Sequence, residues 1–203
     1  MIRKAIFGGT FNPIHNGHLH IAYEALNSLN LDKVIFVPSG NPPHKTGKVV
    51  IDAVDRYEIV NIAVRNEEKF EVSPYEVNKK DKSYTYATLK YFHDLEPETE
   101  WYFITGTDCL VELYSWKNVD MILDLCKFVV FSRPGYKQEE IIKSKKYIEE
   151  KFNCKLIMVE IPTLEISSTT IREKIRKGES VSNYLPKDVY AAILELGLYR
   201  KTT

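Results

Sequence analysis

Neither sign of charge predominates in this chain: 28 Lys and Arg face 28 Asp and Glu, a formal charge of zero with histidines neutral. That balance excludes a simple polyanion binder, and no clustering of tyrosine with lysine offers the footprint of a nucleic-acid surface. Cysteine is scarce. Cys109, Cys126 and Cys154 are widely spaced, with no C-x-x-C pair for zinc or redox chemistry. Their odd number and apolar neighbours read as buried thiols in a reducing compartment. No stretch reaches the ~18 uncharged residues of a spanning helix. The apolar run Ala5-Ile6-Phe7 near the start is too short for a signal-peptide core. The expectation is a cytoplasmic protein with no membrane and no nucleic acid among its partners. Repeats, low-complexity tracts and convincing linkers are lacking too, so the 203 residues read as one domain over 1–203.

What is present is an alternation of short apolar runs with longer helical patterns. Strands are expected at Ile2–Gly8, Lys33–Pro38, Lys69–Ser73, Trp101–Gly106, Lys127–Ser132 and Lys155–Ile161. Helices are expected at Gly17–Leu29, Ala53–Arg65, Tyr84–Asp94, Cys109–Leu125 (broken) and Gln138–Phe152, with Asp52 and Ser83 as N-caps of the second and third. Two more follow: one from Ser168 or Thr169 to Gly178, another from Pro186 to Gly197. Such an α/β order, with strands apolar throughout, implies a mostly parallel six-stranded sheet with helices on both faces and a helical C-terminal segment. Sheets of this kind bind ligands at the carboxyl ends of their strands. The charged run Lys137–Lys151 carries Ile141, Ile148 and Phe152 at helical spacing, so it reads as a solvated amphipathic helix.

The densest chemical signal runs from Gly8 to His18, Gly-Gly-Thr-Phe-Asn-Pro-Ile-His-Asn-Gly-His, between the first strand and first helix. Paired glycines let a backbone approach a ligand closely, and a helix start offers amides and a positive dipole end to anionic oxygens. His15 and His18, three apart with Gly17 between them, can both face one phosphate group. A zinc site lacks a third ligand nearby. The segment is neither a P-loop, since no G-K-[ST] follows, nor a G-x-G-x-x-G dinucleotide fingerprint. His20, His44 and His93 read as packing or surface residues. Ser167-Ser168-Thr169 with Arg172 could hold phosphate oxygens at a second helix start, or be an ordinary cap with a surface arginine. Gly106-Thr107-Asp108 closes the fourth strand, where Asp108 could accept from ribose hydroxyls, cap the next helix, or do both. The 39–50 loop, with Pro42-Pro43-His44-Lys45, is long for a βα connection, as binding segments often are.

The first loop resembles the (H/T)-x-G-H signature of the nucleotidyltransferases. Within them the whole chain is similar to the bacterial nicotinate-nucleotide adenylyltransferases. The shared segments are Pro42-Pro43-His44-Lys45, Ser83-Tyr84-Thr85, Gly106-Thr107-Asp108, Tyr114-Ser115-Trp116, Ser132-Arg133-Pro134-Gly135 and Ile166 to Arg172. Asn12 departs from the Asp that many relatives carry. The resemblance implies a Rossmann-like, doubly wound fold and adenylyl transfer from ATP to nicotinate mononucleotide. It implies catalytic His15, His18 and Arg172, with ATP held by Gly8, Gly9, Thr10, Phe11, Lys45, Gly106, Asp108, Ser168 and Thr169. Nicotinate mononucleotide would meet Thr85, Tyr114, Trp116 and Arg133, with Trp116 stacked on the pyridinium ring and main-chain amides around Thr85 and Tyr114 receiving the carboxylate. On residue type alone Trp116 could equally be core, and Lys45 and Arg133 could be solvated. Mg²⁺ is expected as cofactor, held by ATP phosphates and water and not by protein side chains. Rival readings are a pantetheine-phosphate adenylyltransferase, a cytidylyltransferase and a non-catalytic nucleotide sensor. A tRNA synthetase would need an RNA-binding module for which the chain has no room. Assembly into homo-oligomers stays open.

Overall fold

Consecutive burial along the strands shows why the sheet forms. In the computed structural model, which describes residues 1–41, 50–132, 138–162 and 165–200, strand β1 (Arg3–Gly9) buries Ala5, Ile6 and Phe7 in succession. Strand β4 (Glu100–Gly106) buries Trp101 through Thr105, and β5 (Lys127–Ser132) buries Phe128 through Phe131. Side chains of adjacent strand residues point to opposite faces, so such runs need both faces covered, as in parallel sheets. The remaining strands are β2 (Lys33–Pro38), β3 (Phe70–Val72) and β6 (Ile157–Glu160). β1 pairs in parallel with β4, β4 with β5 and β5 with β6. The sheet order is β3-β2-β1-β4-β5-β6, that of a doubly wound, Rossmann-like α/β fold. Strand order reverses between β1 and β4, where Phe7 is in register with Ile104. The crevice rule therefore directs attention to the residues just beyond, Gly8 and Gly106.

Helices α1 (Asn16–Ser28), α2 (Ala53–Val64), α3 (Thr85–Leu95), α6 (Gln138–Phe152), α7 (Ser168–Arg176) and α8 (Lys187–Glu195) occur where periodicity places them. Asp52 caps α2 through its carboxylate, which accepts from the Val54 N–H at 2.8 Å. Ser83 does not cap α3. Tyr84 holds that position without a side-chain bond, and the Ser83 hydroxyl instead accepts from the amides of Gly40 (3.1 Å) and Asn41 (3.2 Å). The broken helix resolves into α4 (Thr107–Glu112), a 3₁₀ turn at Leu113–Ser115 and α5 (Val119–Leu125). The break falls at Trp116 to Asn118, where Asn118 is left-handed at φ 55°. Gly178 and Gly197, at φ 75° and 64°, follow α7 and α8, a conformation that only glycine adopts without cost. On α6, Ile141 and Ile148 are buried and the charged residues face solvent, as its amphipathic pattern requires.

Packing groups the chain into two compact units. One comprises Met1–Gly8, Glu24–Ile35 and Tyr84–Thr163; the other comprises Gly9–Tyr23, Phe36–Ser83 and Leu164–Thr203. The three cysteines all lie in the first and are free thiols, but each residue is only part-buried, less enclosed than its apolar neighbours suggest. Burial still pushes the Cys109, Cys126 and Cys154 thiols above the ordinary range. No helix among the described residues is long and apolar enough to cross a membrane.

Candidate active site

In the second unit the loop after β1 is buried from Phe11 to His15. Phe11, 3% exposed, adopts a left-handed φ of 46°, unusual for a bulky side chain and a mark of local strain. Its ring lies under Gly9, where an added Cβ would come within 2.9 Å of it, and meets the His18 ring edge-on at 5.1 Å between centroids. Burial makes Phe11 a support for His18. Asn12 and Ile14 are buried beside it.

His15 and His18 are brought face to face. Their rings stack with centroids 3.7 Å apart and planes inclined by 24°, and the His15 amide donates to Nδ1 of His18 at 3.2 Å. An accepting Nδ1 places the proton of a neutral imidazole on Nε2, so His18 presents an N–H donor at its outer nitrogen.

Helix α7 closes on the same loop. Ser167, not Ser168, is its N-cap, accepting from the Thr170 amide at 3.1 Å. The Ser168 hydroxyl donates to the Pro13 carbonyl at 2.9 Å, and Arg172 donates through Nη1 to the Asn12 carbonyl at 2.8 Å. Nη2 of Arg172 reaches the Thr169 hydroxyl at 3.3 Å, while Nε is buried without an acceptor among the described residues. Burial lowers the pKa of Arg172, against the raising influence of the neighbouring Tyr199 phenol. Ser168 and Arg172 thus brace the histidine loop, and Thr169 stays exposed at the helix start.

Thr10 belongs to the second unit as well, whereas Gly8, Thr85, Gly106, Asp108, Tyr114 and Trp116 lie in the first. Gly8 sits close enough to Phe103 that a Cβ would approach its ring to 3.3 Å, whereas a Cβ on Gly106 would meet no atom within 4 Å. Open space therefore lies over the carboxyl end of β4. Asp108 is exposed in the first turn of α4 and is not its N-cap, a position that Gly106 holds. Thr85 is the first residue of α3, whose opening amides have no side-chain cap. Trp116 is half-buried, packed edge-on against Phe103 (6.3 Å) and Phe128 (6.2 Å), with its indole N–H lacking an acceptor among the described residues. Tyr114 is exposed on the 3₁₀ turn. Lys117 lies over the rings of Tyr84 (4.8 Å) and Tyr86 (5.7 Å), which makes the 113–118 segment a neighbour of the α3 start. Sequence reasoning passed over Lys117 and Arg56, since neither stands in a motif. Lys45, His44 and Arg133 lie outside the described residues, as do 42–49 of the long loop. Among the described residues no three His, Cys, Asp or Glu side chains gather as a metal-binding group.

Comparisons with known proteins bear on the family and the fold. The cytidylyltransferase-like family matches residues 6–174. A Clostridium novyi (strain NT) protein named "Probable nicotinate-nucleotide adenylyltransferase" is 58% identical over 200 residues, covering 98% of this chain and 100% of that one. One of the same name from Clostridium tetani (strain Massachusetts / E88) is 54% identical over 200 residues, with the same coverage. Among solved structures, Plasmodium falciparum nicotinic acid mononucleotide adenylyltransferase complexed with NaAD superposes with a TM-score of 0.77 over 98% of each chain. At 22% identity that likeness speaks to the fold.

Proposed function

We infer the reaction of this chain from its kinship: it belongs to the nicotinate-nucleotide adenylyltransferases of the cytidylyltransferase-like family. It is an enzyme that transfers the adenylyl group of ATP to nicotinate mononucleotide, a step of NAD biosynthesis giving deamido-NAD and pyrophosphate. In this reading an oxygen of the mononucleotide phosphate bonds to the α-phosphorus of ATP, and the bond from that phosphorus to the bridging oxygen of pyrophosphate breaks. The nucleophile is already anionic at pH 7, so the protein need not remove a proton. Its work is alignment and neutralisation of charge on the transferring group.

The observation that carries the assignment of roles is the stacked histidine pair. With Nδ1 engaged by the His15 amide, the His18 Nε2–H is a preorganised donor for an α/β-phosphate oxygen, and His15 supports it from the opposite face. Arg172, with Thr169 beside it, is the cation assigned to the leaving pyrophosphate. Its hold on Asn12 sets where it starts from. Gly106 and Asp108 are assigned to the nucleoside, and Thr85, Tyr114 and Trp116 to the pyridine ring and its carboxylate. The uncapped amides of α3 suit an anion. Lys45 and Arg133 are kept as anion contacts on sequence grounds. Magnesium would supply charge neutralisation on the triphosphate. The imidazoles and amides of the first loop are poor partners for so hard an ion, so the phosphates and water would hold it and no step is assigned to it here. A cytoplasmic location belongs to the same reading.

Pyrophosphate release with ATP and magnesium, offering nicotinate mononucleotide, nicotinamide mononucleotide and phosphopantetheine in parallel, tests it. Turnover with the acid mononucleotide is expected. Turnover with phosphopantetheine instead overturns the assignments of Thr85, Tyr114 and Trp116, and ATP binding without turnover on any acceptor favours a sensor.

A further inference from the structure

Arg56 is the largest fully buried side chain among the described residues, 1% exposed, and it lies near the start of α2. Its hydrogen-bond partners are four backbone carbonyls. Nε donates to Ile51 at 3.1 Å, Nη1 to Thr10 at 2.7 Å, and Nη2 to Ser39 at 2.6 Å and Gly40 at 3.4 Å. No carboxylate forms an ion pair with it among the described residues. Burial lowers its pKa, and Tyr199, Asp52 and Glu76 act the other way through space. Removing the fork would leave four carbonyls without their donor, so stability is one reason to keep it, and any further role rests on the segments to which those carbonyls belong.

The planar fork joins three segments of one compact unit: the loop after β1, the exit of β2 and the entry to α2. Its shortest bonds go to Thr10 and Ser39. Thr10 belongs to the loop that carries the histidine pair, and a carbonyl oxygen facing a phosphate there would repel it. Arg56 takes the carbonyl of Thr10, Arg172 that of Asn12 and Ser168 that of Pro13. Three carbonyls within four residues of this loop are thus fixed by side-chain donors, which holds its backbone in one conformation. Gly40 tightens the same joint: a Cβ there would lie 2.1 Å from the Glu76 carbonyl oxygen.

We propose that Arg56 is a positioning residue for adenylyl transfer, fixing the Thr10 carbonyl and with it the Gly9-to-His18 loop in the geometry that receives the nucleotide phosphates. The inference rests on the assignment of that loop to ATP. Lysine cannot replace the fork, because an ammonium is a point charge without planar, divergent donors.

The test compares the full-length protein with Arg56→Met, Arg56→Lys, Ile59→Val on the same helix as a packing control, and His18→Ala. Thermal melts, kcat and the KM for each substrate are read together. A loop displaced by about an ångström should lower kcat on the order of 10²-fold in Arg56→Met. The KM for nicotinate mononucleotide should stay within about twofold, as for loss of an interaction made in the transition state. Ile59→Val should keep native kinetics despite a lower melting temperature. Near-native turnover by folded Arg56→Met overturns the proposal, and so does a kcat loss that Ile59→Val reproduces. Where Arg56→Met fails to fold, Arg56→Lys decides. A loss of about tenfold or more in kcat at a native-like melting temperature supports the positioning role, and native kcat overturns it. If His18→Ala turns over normally, the assignment of the loop itself has failed. If His18→Ala collapses while Arg56→Met does not, only the role of Arg56 has failed.

Discussion

The imidazoles of His15 and His18 lie 3.7 Å apart and nearly parallel, and the backbone N–H of His15 is the donor that fixes Nδ1 of its partner. One residue thus supplies both the face that orients the second ring and the hydrogen bond that sets its tautomer. Phe11 adds an edge contact at 5.1 Å, so His18 is held on two sides before any ligand arrives. Preorganisation of this kind lets a donor act on developing charge without reorganising first.

Separate substitutions should resolve the two nitrogens of His18. Asparagine keeps an acceptor near the Nδ1 position, and glutamine keeps a donor near Nε2. If the outer N–H carries the function, His18→Ala and His18→Asn should each lose ~10²–10³ in kcat, with His18→Gln retaining more. Steady-state kinetics on the three variants checks this, and a ranking with asparagine above glutamine would place the function on the inner nitrogen.

Gly17→Ala should separate stability from activity. An added Cβ would sit 3.1 Å from both Cε1 and Nδ1 of His15, tighter than ordinary contact, so the stacked ring must give by a few tenths of an ångström. Alanine is meanwhile the better helix former by ~1 kcal/mol in the first turn of α1. The expected outcome is an unchanged or higher melting temperature with a lower kcat. A variant with lower stability and native kcat would show that the space beside His15 is not functional.

The sheet could be read from the chain because its strands bury consecutive residues: Ala5 to Phe7, Trp101 to Thr105 and Phe128 to Phe131 are apolar-rich runs that no amphipathic alternation obscures. The histidine loop was legible for a similar reason, since its chemistry lies in contiguous residues. What stayed hidden depends on partners distant in sequence. Ser83 has the residue type of a cap, but its hydroxyl answers amides 43 and 42 residues away. Ser168 and Arg172 have the residue types of phosphate ligands, and their bonds to carbonyls 155 and 160 residues earlier emerge only in the fold. Arg56 sits in an unremarkable helix, and only the carbonyls around it reveal its place. Trp116 was ambiguous between core and ligand contact because it is half-buried, and its packing leaves room for both.

Trp116 therefore makes a two-part prediction. Alanine should remove the edge contacts with Phe103 and Phe128, costing ~2–3 kcal/mol, less than a fully buried tryptophan would. It should also remove the ring face, raising the KM for nicotinate mononucleotide by ~2- to 30-fold if a cation–π contact of ~0.5–2 kcal/mol is lost, and leaving the KM for ATP near native. Trp116→Phe should restore much of the stability and part of the affinity. Equal shifts in both KM values would assign the residue to packing alone.

At the far end of the same strands, Glu100 makes stability depend on pH with a definite sign. It is in register with Arg3 across β1 and β4, accepts from Arg3 Nε at 2.9 Å and from the Tyr102 hydroxyl at 2.7 Å, and bonds Lys127 as well. Lys127 is the first cause that holds its carboxyl below the usual range, followed by Tyr102, with burial opposing them. A carboxyl that is more acidic in the folded chain than in the unfolded one, where its pKa is about 4.3, contributes stability that is complete above that value. The contribution fades as pH falls through the folded pKa. Its partner Lys127, itself held above its ordinary pKa by Glu100, keeps its charge well beyond neutral pH, so the pairing does not change between pH ~5 and 8. Glu100→Gln should accordingly melt below the native protein by a nearly constant margin across that interval. Because Arg3 and Lys127 are well exposed, the margin should reflect ~1 kcal/mol, near the top of the range for solvated ion pairs. As pH falls through the lowered pKa of the folded state the native carboxyl protonates, and the two melting curves should converge. Melting series in matched buffers from acid to neutral pH check the sign: a margin that grows in acid would mean that Glu100 is held in its protonated form, contrary to the geometry that surrounds it.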